Sequence, residues 1–376
     1  MAHEPVCTVM MKLLTISLKR PHAAYIEPGV LLSSSFFDDC RSVAERWVII
    51  ADHTTEKLFG HQLQKNLYER GLSVELVAFK SGEGQKTRQT KEWLEDQLLQ
   101  KGFGRDCGVI GLGGGVVTDV AGFVASTYCR GLPLILIPTT LLGMVDASIG
   151  GKTGVNTPQG KNLIGTIYQP HAIWIDPLTL NSLPFVEYKN GLAECIKHGA
   201  ILDPTYFAFL EEERVQILTK DPEVLPTLIG ESCHIKKTIV EEDEREQGMR
   251  RLLNFGHTLG HALEVVTRYA LPHGQAVAIG MVGESWLAKE LGILPEDAFD
   301  RIYSILKNYG LPTNLPEGIS ASDLLQAMQH DKKAKAKVPR FVMLEEIGSC
   351  LECEGEYCQS VEPQLVERMI ESLPRQ

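Results

Sequence analysis

The pattern of apolar and polar positions divides the chain near residues 180–185. Ahead of that point, short β-rich runs alternate with amphipathic stretches. Residues 47–51 form an apolar run ending at Asp52, and residues 73–79 alternate with period two. Residues 87–101 have helical periodicity, with Trp93, Leu94, Leu98 and Leu99 as the apolar stripe. Residues 107–111 read as a buried strand, followed by a glycine turn and a helix running through Ala121 to Thr127. Segments 134–137 and 172–175 add two more strands, and 8–18 suggests an opening strand or hairpin. Strands alternating with helices predict an α/β domain with a mostly parallel sheet over 1–183. Beyond it, strand signals nearly vanish. Amphipathic segments at 186–200, 204–219, 222–242, 250–267, 274–291, 297–309 and 321–330 predict an α-helical domain over 184–376. A short β-prone piece at 340–344 and a helix at 362–373 complete it.

Composition narrows the function classes. The chain has 376 residues, 44% of them hydrophobic, enough for two cores. A net charge of −11 argues against general binding to nucleic acid or anionic membranes. No apolar run approaches the length of a membrane helix, and no secretory signal is evident at the N-terminus. Nine scattered cysteines, an odd number, fit reduced thiols, so a cytoplasmic protein is expected. Cys350, Cys353 and Cys358 cluster near the C-terminus, but lack the second spaced pair that a structural zinc site needs.

The most informative run is Asn254-Phe-Gly-His257-Thr-Leu-Gly-His261. Its two histidines lie four apart, so on a helix both imidazoles project from one face, a spacing suited to a divalent transition metal. Thr258 stands where a zinc protease has its glutamate, which argues against peptide hydrolysis. His273 opens the next periodic segment and can face back toward the pair. A carboxylate would complete a metal set, and spacing leaves Glu194, Glu264 and Asp243 as alternatives.

In the first half, Gly113-Gly114-Gly115 follows a strand and opens a helix, as backbone approaching a phosphate requires. Thr118 occupies the third-glycine position of a dinucleotide fingerprint, so a generic phosphate turn is predicted rather than an ordinary first crossover. The turn Ser81-Gly-Glu83-Gly-Gln-Lys86 follows another strand. Asp146 to Asn156 carries an aspartate and Lys152 on glycine-rich backbone, with Lys161-Asn162 soon after. Arg130, Lys152, Lys161, Lys197, Lys236, Arg250 and Lys332-Lys333 stand beside these segments in an acidic chain, which suggests a small polyanionic substrate.

In this order, the motifs resemble those of the 3-dehydroquinate synthase branch of the sugar-phosphate cyclase family. The likeness runs from about Val48 to Ile347 and is dense at Gly113 to Asp119, Pro138 to Leu142, Asp146 to Asn156, Gly160 to Asn162, Gly191 to Lys197, Asn254 to His261 and His273-Gly274. The resemblance implies an NAD-binding α/β domain joined to a helical domain holding catalytic Zn2+ or Co2+, usually in a homodimer. It implies Glu194, His257 and His273 as metal ligands, with His261 acting beside them. It implies NAD contacts from Asp52, from Ser81, Gly82, Glu83, Gly84, Gln85 and Lys86, and from Gly114, Gly115, Val116, Val117, Thr118 and Asp119. Further NAD contacts would come from Thr139, Thr140, Lys152 and Lys161, and from Thr179, Leu180, Asn181 and Ser182. Substrate would meet Asp146, Lys152, Asn162, Lys197, Lys236, Arg250, Asn254, one lysine of Lys332-Lys333, and Arg130 from a neighbouring subunit. Lys152, Lys197, Lys236, Asn254 and His261 would carry the catalytic work. The implied reaction turns 3-deoxy-D-arabino-heptulosonate 7-phosphate into 3-dehydroquinate and phosphate, with NAD recycled in each turnover and the substrate's own phosphate taking the C6 proton. Thr118 departs from the family's usual glycine, which predicts crowding of the pyrophosphate.

Overall fold

The computed structural model describes residues 12–329 and 338–375. It divides into two compact units, Met1–Leu183 and Pro184–Gln376. Among the described residues, the first is built on nine strands: β1 (Lys12–Ile16), β2 (His22–Ile26), β3 (Arg46–Asp52), β4 (Ser73–Phe79), β5 (Cys107–Gly113), β6 (Leu134–Pro138), β7 (Lys152–Thr157), β8 (Gly160–Ile167) and β9 (Ala172–Ile175). Seven form one sheet in the order β1-β2-β9-β6-β5-β3-β4, parallel except for the β1–β2 hairpin. β5, β6 and β9 are buried along their whole length, as expected of parallel strands covered on both faces. Edge strand β4 alternates instead. Sequence order reverses at β3, which lies between β4 and β5. Ligands of open α/β sheets bind at the carboxyl ends of strands beside such a reversal.

Two elements depart from the sequence reading. β2 pairs with both β1 and β9 and stacks Tyr25 on Trp174 at 4.1 Å, a long-range contact that a five-residue run does not announce. Residues 8–11 of the expected opening strand lie outside the described residues. The glycine-rich stretch after Asp146 continues into a two-stranded β7–β8 hairpin. Its glycines are there for close backbone approach, because a Cβ on Gly165 would sit 1.9 Å from the Thr153 carbonyl oxygen.

The second unit is mostly helical, with 18-residue helices at Phe185–Leu202, Leu225–Glu242 and His273–Glu290. The expected 204–219 helix divides into Pro204–Glu212 and Arg214–Leu218. The 250–267 segment divides into a 3-10 turn, Met249–Asn254, and a helix, His257–Val266. Gly256 breaks it by taking φ 77° between them. Helices His257–Val266 and His273–Glu290 are in backbone contact: a Cβ on Gly280 would meet the Gly256 carbonyl oxygen at 1.8 Å. Among the described residues, no helix is long and apolar enough to cross a membrane.

Candidate active site

In the first unit, Asp52, the 81–86 turn, Gly114 to Asp119, Thr139 and Thr140 lie at or just after the carboxyl ends of β3, β4, β5 and β6. Asp52 ends β3 and caps the next turn, accepting the Thr54 and Thr55 backbone N–H groups at 2.8 and 2.9 Å. Thr55 donates its hydroxyl to the Leu112 carbonyl on β5. Ser81, after β4, exchanges a 2.8 Å hydroxyl contact with Thr54. Gly82 has φ 111°, a conformation few other residues tolerate. Within the turn Glu83–Gln85, Glu83 accepts Asn156 Nδ2 at 2.7 Å, and the Asn156 N–H donates to the Lys86 carbonyl. Asn156 Oδ1 in turn accepts the Asn162 N–H, which fixes Asn162 in its left-handed conformation. One asparagine thus joins the 81–86 turn to the hairpin bearing Lys152, Lys161 and Asn162.

Buried Lys86 hydrogen-bonds Asp119. Burial opposes its charge, but Asp119 and Glu83 outweigh burial and keep Lys86 an ammonium. Helix Gly115–Thr127 begins at Gly114 with no side-chain cap, leaving its first N–H groups available to an anion. Val116, Val117 and Thr118 form its first turn, and Gly113, Gly114 and Gly115 are pressed against Val117, Thr140 and Ala147 respectively. Thr118 is buried, with its hydroxyl donated to the Gly115 carbonyl. Thr139 is tied to Gly113 through its backbone N–H, and Thr140 Oγ1 accepts the Gly143 N–H. In the 3-10 turn Pro177–Ser182, Thr179 and Leu180 are buried, and the Thr179 hydroxyl is taken by the Asp176 carbonyl. Asn181 and Ser182 are exposed. Arg130 is exposed on a turn in which Cys129, Arg130 and Gly131 all have positive φ (51°, 70° and 121°), a strained backbone of the kind concentrated at functional positions. Asp146 lies in the turn Gly143–Ala147 and Lys152 opens β7.

In the second unit, three helices bring the expected metal ligands together. Glu194 comes from Phe185–Leu202, and His257 and His273 are the first residues of their helices. Donor atoms of the three lie within 4.8 Å of one another. His273 Nε2 is 3.4 Å and His257 Nε2 3.7 Å from Glu194 Oε1. Donors bound tetrahedrally to one zinc lie about 3.3–3.6 Å apart, given bonds of about 2.0–2.2 Å, so this spacing fits a single cation. Tautomers fit as well. His257 Nδ1 lies 3.1 Å from the Phe255 carbonyl, which only accepts, so Nδ1 carries the proton and Nε2 presents its lone pair. His273 Nδ1 faces Glu264 at 3.5 Å, the carboxylate backing that metal-bound imidazoles commonly have. Burial opposes charge on His273, yet Glu194 and Glu264 push its pKa up to about 10. A proton and a cation therefore compete for this imidazole.

Of the three carboxylates that spacing left open, Glu194 is the one grouped with two imidazoles. Glu194 lies among the imidazoles, and Glu264 sits behind His273. Asp243 accepts the Gln247, Gly248 and Arg250 N–H groups, and these donors hold its carboxyl below the usual range despite burial. His261 is outside the donor group, its ring 5.3 Å from that of His257.

Among the described residues, the same unit buries three cationic side chains that the sequence singled out. Lys197 is 1% exposed and hydrogen-bonds Glu194, one helical turn away. Lys236 is buried on the Leu225–Glu242 helix. Arg250 is 2% exposed, its guanidinium donating to the Glu244 carbonyl at 2.6 Å. Asn254 Nδ2 donates to Glu246. Lys332 and Lys333 lie outside the described residues. Cys350, Cys353 and Cys358 are free thiols, and among the described residues no cluster of metal-donor atoms includes them. Sequence reasoning missed Glu284, a fully buried carboxylate beside the His257 helix. Its only sequence signal was a glutamate on the apolar stretch Val277 to Leu287.

Comparison with known proteins agrees with this geometry. Residues 76–190 match the family model described as 3-dehydroquinate synthase N-terminal, and 191–334 the one described as 3-dehydroquinate synthase C-terminal. A 3-dehydroquinate synthase from Thermodesulfovibrio yellowstonii is 44% identical over 308 residues, 82% of this chain and 86% of the relative. Among solved structures, 2-epi-5-epi-valiolone synthase from Streptomyces hygroscopicus subsp. jinggangensis, with NAD+ and Zn2+ bound, is 28% identical with a TM-score of 0.85, covering 93% of this chain and 96% of that one. A 2-deoxy-scyllo-inosose synthase complexed with carbaglucose-6-phosphate, NAD+ and Co2+ is 25% identical with a TM-score of 0.89, covering 97% and 100%. With both units matched in order and the donor triad in place, the chain belongs to the 3-dehydroquinate synthase family.

Proposed function

We propose that this chain converts 3-deoxy-D-arabino-heptulosonate 7-phosphate into 3-dehydroquinate and phosphate, a carbon–oxygen lyase reaction of the shikimate pathway. The observation that carries the reading is the Glu194–His257–His273 donor set, in a unit that also buries Lys197, Lys236 and Arg250. Relatives solved with NAD+ and Zn2+ or Co2+ support the same cofactors here. When bound, the metal supplies Lewis-acid polarisation of substrate oxygens and NAD supplies reversible hydride transfer.

The chain's own residues bind and orient. Glu194, His257 and His273 are the metal ligands, and three protein donors leave a position for substrate oxygen. Lys197, held by Glu194, places positive charge where a substrate hydroxyl loses its proton. Arg250, Lys236, Lys152 and Asn162 hold the phosphate and carboxylate, with one lysine of the Lys332-Lys333 pair. Asn254 and His261 hydrogen-bond the hydroxyls. This cationic clamp keeps the phosphate close enough to remove the C6 proton itself, so no strong protein base is required. Asp52, the 81–86 turn, Gly114 to Asp119, Thr139, Thr140 and Lys161 serve NAD. Thr179 and Leu180 contribute by backbone and packing, since their side chains are buried. Arg130 serves the site of a neighbouring subunit in a homodimer, and the thiol-rich chain works in the cytoplasm. Offered the heptulosonate, sedoheptulose 7-phosphate and glucose 6-phosphate separately, the protein is expected to release phosphate from the heptulosonate alone. Turnover of either other sugar in its place would assign the chain to a sister cyclase activity.

A further inference from the structure

Helix His257–Val266 starts without a cap of its own. Its N-cap is Gly256, which has φ 77° and offers no side chain. A larger residue cannot stand there, because a Cβ would lie 2.6 Å from Met281 Cγ and 2.7 Å from the Val277 carbonyl oxygen. The close approach that brings His257 toward the His273 helix therefore removes the usual source of a capping oxygen. That oxygen comes from Glu284, on the helix headed by His273. Its Oε1 accepts the Thr258 N–H at 3.2 Å, and its Oε2 accepts the Val342 N–H at 3.3 Å. Thr258 completes the connection by donating its hydroxyl to the Arg340 carbonyl at 2.7 Å. Glu284 is 0% exposed, with one carboxyl oxygen on each of two backbone N–H donors.

We propose that Glu284 is a positioning residue for the metal centre. It fixes the first turn of the His257 helix and so holds His257 Nε2 at ligand distance from Glu194 and His273. The helix carrying one histidine ligand thereby sets the position of the other. The inference rests on the metal-ligand reading given above. It predicts that changing Glu284 weakens metal binding although Glu284 is not a ligand.

The test compares wild type, Glu284→Gln, Glu284→Asp and His257→Ala. Zinc affinity is read by competition with a chromophoric chelator at fixed pH, well below each protein's unfolding temperature. Amide exchange over residues 256–262 is measured in parallel. Gln places an NH2 group against one of two backbone N–H donors, and Asp withdraws the carboxylate by one methylene. Both are expected to bind zinc about 10–100-fold more weakly, the usual effect of losing a group behind a ligand, with faster exchange at the start of the helix. A carboxylate that served only core packing would lower the melting temperature and leave zinc affinity unchanged. Zinc affinity within twofold of wild type in a folded Glu284→Gln protein overturns the proposal. If that variant does not fold, the same result in Glu284→Asp overturns it. His257→Ala separates the two claims. If it binds zinc as tightly as wild type, the ligand assignment fails and the proposal with it. If it loses zinc while both Glu284 variants keep it, only the positioning role fails.

Discussion

Lys197 and the metal are expected to share Glu194, and replacing Lys197 with Met exposes that sharing. Lys197 is 1% exposed and Glu194 0%, so their ion pair is fully desolvated. Lys197 bonds Oε2, while the imidazoles of His257 and His273 face Oε1 at 3.7 and 3.4 Å. Removing one partner of a buried pair costs about 3–5 kcal/mol, because the other charge stays buried. In zinc-free protein, Lys197→Met should lose about that much, although His273 still faces Glu194 at 3.4 Å. In zinc-loaded protein the carboxylate keeps a divalent partner at about 2 Å, so we expect roughly 2 kcal/mol less to be lost. By the thermodynamic cycle, that difference is about 30-fold tighter zinc binding. The variant would therefore be less stable and bind metal better, while losing activity. The assay is denaturant unfolding of zinc-stripped and zinc-saturated protein, with zinc affinity measured independently by chelator competition. Equal losses in the two forms, with unchanged zinc affinity, would refute the shared-carboxylate account.

Three further outcomes are expected. His257→Ala and His273→Ala should each lose stoichiometric zinc, whereas His261→Ala should keep it and lose turnover; metal analysis of the purified variants decides, and full zinc in His273→Ala contradicts the ligand set. Arg250→Ala removes a buried cation from the phosphate clamp and should lower kcat/KM by about two to four decades, matching about 3–5 kcal/mol; near-normal kinetics would place the clamp elsewhere. In zinc-free protein the His273 pKa stands at about 10, above the ordinary 6.5. Its ionic contribution is thus fully present below pH 6.5 and lost as pH rises through about 10. Urea midpoints should fall between pH 7 and 10 in wild type more steeply than in His273→Asn, and parallel profiles would refute the assignment.

What the sequence disclosed follows from the range of the interactions involved. β3, β4 and β5 were legible because their apolar runs are continuous or alternate cleanly. The division near Leu183 was legible because strand signals stop there. Local spacing placed His257 and His261 on one helical face but could not say which imidazole meets a carboxylate. That choice depends on Glu194 from another helix and on the Phe255 carbonyl fixing a tautomer. Resemblance named the three residues whose donor atoms lie within 4.8 Å of one another. The β7–β8 hairpin was obscured by the glycines that let its strands approach. Glu284 was hidden for a similar reason: it caps a helix whose own N-cap is a glycine, and nothing near position 256 shows where the substitute comes from.

The proposed reaction is a redox-neutral cyclisation on one metal and one recycled NAD. It is tested most directly by the NAD balance during turnover of 3-deoxy-D-arabino-heptulosonate 7-phosphate. With zinc-loaded protein and NAD+ far below substrate, many equivalents of phosphate should appear together with an equal amount of 3-dehydroquinate, and no NADH should accumulate. NADH rising in step with substrate consumption would contradict the account and indicate a simple dehydrogenase. Phosphate without 3-dehydroquinate would break the link between elimination and ring closure.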